Sequence, residues 1–76
     1  MSHDDGPDEL WRLGKGRDVL VCCMSRAGER VVALSVLRNG SSFIAEEHAG
    51  LLAAFQRADT LRRQFLDEGW TGAFDR

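Results

Sequence analysis

Tyrosine is absent from this 76-residue chain, and cysteine and histidine occur only twice each. Cys22 and Cys23 are adjacent, while His3 and His48 lie far apart, so neither a disulfide framework nor a CxxC or HxxxH metal-ligand spacing can be drawn. No apolar run approaches the roughly 20 residues that cross a bilayer. The opening MSHDDGPDE is acidic where a signal peptide is basic and then apolar. A cytoplasmic protein without membrane association is therefore expected. The phosphate loop GxxxxGK(S/T), the dinucleotide fingerprint GxGxxG and the nucleophile elbow GxSxG are missing too. GKGRD, residues 14 to 18, has the glycines of a phosphate-cradling turn, but a strand and not a helix N-terminus follows it. With no convergent set of titratable groups, a protein that is not an enzyme and carries no cofactor is expected.

What is present is small and unevenly charged. A chain of this length makes one domain at most, and such a domain buries only about 60% of the surface its unfolded chain exposes. Disulfides and metal being poor candidates, a partner is the remaining source of burial. The net charge of −2 hides three segments. Asp4, Asp5, Asp8 and Glu9 give residues 1 to 10 a net of −4. Arg12, Lys15, Arg17, Arg26, Arg30 and Arg38 against Asp18 and Glu29 give residues 11 to 40 a net of +4, and the remainder carries −2. The middle of the chain is a basic island, which bears on partners rather than on fold.

Residues 1 to 9 hold Gly6, Pro7 and four acids with no hydrophobe after Met1, so they are expected to be disordered. LWRL alternates apolar and polar, which predicts a first strand at about 10 to 14, turned by GKG. RDVLVCCMS and ERVVALSVLR predict the second and third strands around Arg26-Ala27-Gly28. Asn39-Gly40 is the strongest local signal, a two-residue type I′ hairpin that returns into SSFIAE as a fourth strand. From about Ala49 the apolar period changes from two to 3.6. Leu51, Ala54, Phe55, Ala58, Leu61 and Phe65 mark one helix face, and Gly69 is placed to end the helix, with Trp70 free to fold back on the sheet. The expectation is an α+β domain over 10 to 70, a four-stranded antiparallel meander followed by one C-terminal amphipathic helix (ββββα), with a short tail at 71 to 76.

One helix covers one face of a sheet. Yet Val19, Val21 and Cys23 point one way along the second strand while Leu20, Cys22 and Met24 point the other. The third strand divides likewise into Val32, Leu34, Val36 and Val31, Ala33, Leu37. Strands apolar on both faces must be buried on both, which predicts a homodimer packed sheet to sheet or edge to edge. The same alternation sends Cys22 and Cys23 to opposite faces, so their sulfurs cannot converge on one metal and they read as small buried hydrophobes.

His3 lies in the acidic tail. His48 follows Glu46 and Glu47 at a strand-to-helix junction, where a capping or solvent-exposed role is expected. The basic island supplies the candidate site: Arg12, Lys15, Arg17, Arg30 and Arg38 as phosphate contacts with Trp11 as a stacking face, and Phe43 as a second one. The opposing reading is that turn cations are solvated and block edge aggregation.

The run WRLGKGRD, the hairpin RNG and the closing LRRQFLDEGW together resemble small uncharacterised bacterial ββββα proteins with a tryptophan-led meander and a final GW, over about residues 10 to 70. In topology the unit is similar to one repeat of the Pur-alpha or Whirly single-stranded DNA-binding proteins. That likeness implies two-fold pairing and nucleic acid on the sheet. Two functions are therefore expected in competition: a non-enzymatic nucleic-acid-binding homodimer, or an interaction module that docks a protein partner on an apolar sheet face.

Overall fold

The computed structural model describes residues 8–72. The order is β1 (Asp8–Lys15), β2 (Asp18–Arg26), β3 (Val31–Arg38), β4 (Ser41–Ala49), α1 (Leu51–Asp67) and β5 (Thr71–Gly72). The strands form one antiparallel sheet in the order β4-β3-β2-β1-β5, so the four-stranded meander and its closing helix stand as expected, with one short strand added. Of the acidic tail expected over 1 to 9, Asp8 and Glu9 belong to β1, and residues 1 to 7 lie outside the described residues. Of the tail expected at 71 to 76, Thr71 and Gly72 pair with Gly14 and Leu13, and the rest lies outside.

Turn chemistry drives the meander. Asn39 and Gly40 have φ of 53° and 86°, the two positive values that a type I′ turn requires. The Asn39 side chain accepts from the Val19 amide at 2.9 Å and donates to Asp18 at 2.9 Å, which ties this hairpin to the start of β2. Two irregularities bend the sheet: Leu10 is extra in β1 opposite β2, and Phe43 is extra in β4 opposite β3.

The helix ends as the glycine predicts. Gly69 takes φ 105°, its amide donates to Leu66 O at 3.2 Å, and the Trp70 amide donates to Phe65 O at 3.0 Å. This is a Schellman cap, with Trp70 packed edge-on to Phe65 at 6.3 Å between ring centroids. The cap turns the indole back under the helix, where it is 6% exposed. Trp70 also starts the chain toward β5.

The helix lies over the face carrying Leu13, Leu20, Cys22, Met24, Val32, Leu34 and Val36. Ala54, Ala58, Leu61 and Phe65 meet them, and the two alanines let the helix approach closely. Leu51 and Phe55, expected on the buried stripe, are instead about half exposed. The helix rests on a line centred on Ala54, Ala58, Leu61 and Phe65, and the stripe read from spacing is wider than one sheet face can cover.

Candidate functional site

The opposite face of the sheet carries no element among the described residues. By register, β2 presents Val19, Val21, Cys23 and Ser25 to it, and β3 presents Val31, Ala33, Ser35 and Leu37. None of these eight side chains is charged. Most are only partly covered, because neighbouring strands shield their flanks and no described element lies above them. The charges stand at the edges, Glu9 and Arg12 on β1 and Glu47 on β4, all exposed. Arg12 donates twice to the Glu9 carboxylate, at 3.1 and 2.8 Å, which holds that carboxyl below its ordinary range.

The two cysteines part as alternation requires. Cys22 lies under the helix with no exposure, and burial pushes its thiol up to about 12. Cys23 stands on the open face, 9% exposed between β1 and β3, and its thiol is also raised by burial. Among the described residues, no group of three or more His, Cys, Asp or Glu side chains is placed to hold a metal ion.

The basic island does not form one surface. Trp11 is turned to the helix side, where its Nε1 donates to Ala58 O at 3.0 Å and its ring lies 6.1 Å from Phe65. The indole therefore serves the helix–sheet contact. Phe43 is about half exposed, with its ring 6.2 Å from that of Phe65. Lys15 and Arg38 are brought together, their cations 5.9 and 5.5 Å from the Trp70 ring centroid. Lys15 also donates to Glu68 O at 2.9 Å, and Arg38 to Asp18 at 2.7 Å. Arg17 stands in the turn between β1 and β2 at this end. Arg30 belongs to the β2–β3 hairpin at the other end, separated by a nine-residue strand that spans about 27 Å. Arg12 projects from the open face between the two ends.

A polar cluster absent from the expectations joins β4 to the helix. Arg57 donates to both oxygens of Glu46, at 3.0 to 3.2 Å, and His48 Nε2 lies 2.8 Å from Glu46 Oε1. The Arg57 hydrogen bonds, with His48 behind them, hold the Glu46 carboxyl below its ordinary value of 4.5. His48 is thus partly buried against a carboxylate, whereas capping or exposure was expected; Gly50 holds the N-cap position. The alternation that reaches Ala45 continues through Glu46 and His48, which is the one sequence signal for this extension of β4. At the hairpin end a cavity of about 720 Å³ has Met24, Val32 and Leu51 among its walls, with Arg26, Arg30 and Glu29 also lining it.

Comparison with protein-family models, with curated proteins and with solved structures finds no match to this chain.

Proposed function

We propose that this protein is a non-enzymatic interaction module that works as a homodimer, two copies joined through the helix-free faces of their sheets. The observation that carries this reading is the uncharged outward row of β2 and β3, with Val19, Val21 and Cys23 beside Val31, Ala33 and Leu37. Contiguous apolar surface of this kind on a small domain marks a contact site, and each Å² removed from water contributes about 25 cal/mol. An open sheet face matches another extended surface better than it encloses a small molecule. Sedimentation equilibrium tests the reading. The full chain is expected to sediment as a dimer at micromolar concentration, and Val21→Lys is expected to sediment as a monomer with unchanged far-UV circular dichroism. A monomeric parent chain across the whole concentration range sinks the proposal.

Single-stranded nucleic acid is a second reading, supported by Arg17, Arg26 and Arg30, which have no acidic partner among the described residues. Fluorescence anisotropy of a labelled oligonucleotide separates the two. Binding that falls steeply with salt and is lost in Arg17→Glu/Arg30→Glu supports a phosphate-contacting surface. No binding at low salt removes it.

A further inference from the structure

Two sheets that stack face to face do so with strands nearly aligned or nearly perpendicular. Edge charges and register choose between these arrangements here. The centre of the open face lies between Cys23 and Ser35, which pair across β2 and β3. Arg12 is one strand beyond β2 and opposite Val21, two residues from Cys23 toward the β1–β2 turn. Glu47 is one strand beyond β3 and opposite Ala33, two residues from Ser35 toward the β2–β3 hairpin. With strands about 4.8 Å apart and two residues spanning about 6.7 Å, each Cα stands about 7 Å across and about 7 Å along from the centre, in opposite directions, and at the Arg12 corner the guanidinium also bonds Glu9 of its own strand. Arg12 and Glu47 thus occupy opposite corners of one square.

We infer that the partner on this face is a second copy whose strands cross at about 90°, with each Arg12 facing the partner's Glu47. This rests on the homodimer reading above and specifies its arrangement. A two-fold axis lying in the interface exchanges those corners only if it runs along the other diagonal, at about 45° to the strands, and that rotation turns the partner's strands perpendicular. Aligned stacking about an axis along the strands instead sets Arg12 opposite the β4 position of Ser42, where no opposite charge among the described residues completes a symmetric pair. In the crossed arrangement the small residues Cys23 and Ser35 meet near the axis, and Leu37 falls near the partner's Ala45. The face also has the size that a dimer needs. Four strands of about nine residues cover roughly 19 by 27 Å, so two copies bury on the order of 1,000 Å², the lower bound of a specific interface.

A charge-swap cycle read by sedimentation equilibrium tests the arrangement. Arg12→Glu and Glu47→Arg are each expected to weaken dimerisation about tenfold, because each sets like charges at two symmetric corners. The double variant Arg12→Glu/Glu47→Arg is expected to recover most of that loss, a rescue that a change in monomer stability would not produce. Two unaffected single variants, with Val21→Lys still monomeric, overturn the crossed arrangement and leave the dimer standing. A monomeric parent chain overturns both.

Discussion

Cys22 and Cys23 differ by one residue in sequence and by a whole face in space. Alternation along β2 puts one sulfur beneath the helix and the other on the open sheet, so their chemistry is set by what covers each face and not by their adjacency. Both thiols are raised by burial, Cys22 to about 12, which leaves little thiolate at neutral pH. Intact-mass analysis during maleimide labelling of the folded Val21→Lys monomer is expected to show slow modification of one cysteine, absent when Cys23→Ser is added. Cys22 is expected to react only when denaturant opens the fold. Native labelling of Cys22 ahead of Cys23 would contradict the assignment of faces. Trp11 follows the same logic with a different outcome. Its sequence neighbours Arg12 and Lys15 suggested a nucleic-acid surface, but strand alternation separates it from Arg12 and hands its indole to Ala58 and Phe65.

At the scale of elements, the contact between β4 and α1 has a charged tether. Glu46 and Arg57 are eleven residues apart, and neither periodicity nor a helix i,i+4 rule relates them; only the packing of the helix over the sheet does. Because the folded Glu46 is held below its ordinary value of 4.5, its stabilising contribution is present at neutral pH and is lost as pH falls through that lowered value. Arg57→Ala is expected to cost about 1 kcal/mol at pH 7 in urea denaturation, the upper end for a partly exposed pair. That difference is expected to shrink below about pH 4, where the unfolded carboxyl is protonated first and the folded one follows. A cost that stays constant with pH would mean that Arg57 acts through packing of its stem. The hairpins and the helix stop, by contrast, were legible residue by residue. Asn39-Gly40 and Gly69 name backbone conformations that few other residues adopt, so local chemistry alone places them.

For the whole molecule, the small size and the open face have one joint consequence. A chain of 76 residues with a single helix over one face covers half of its apolar sheet, and in the proposed homodimer association covers the other half. Folding of a dimer is coupled to mass action, so the thermal midpoint is expected to rise with protein concentration. Scanning calorimetry over a hundredfold concentration range checks this, with Val21→Lys as the comparison. A midpoint independent of concentration in the parent chain would show that association adds nothing to the fold.

The element types, the order ββββα, the turns and the helix cap are readable from the residues alone, because these depend on period and on backbone preferences that act within a few residues. The apolar character of β2 and β3 on both faces is readable in the same way. Which face the helix takes, the division of the basic island between two ends of the sheet, the packing role of Trp11 and the placement of Arg12 and Glu47 at opposite corners emerge only from the folded chain. Each of these follows from strand register and helix placement, which bring together residues separated by 11 to 53 positions. No local propensity carries information over that span.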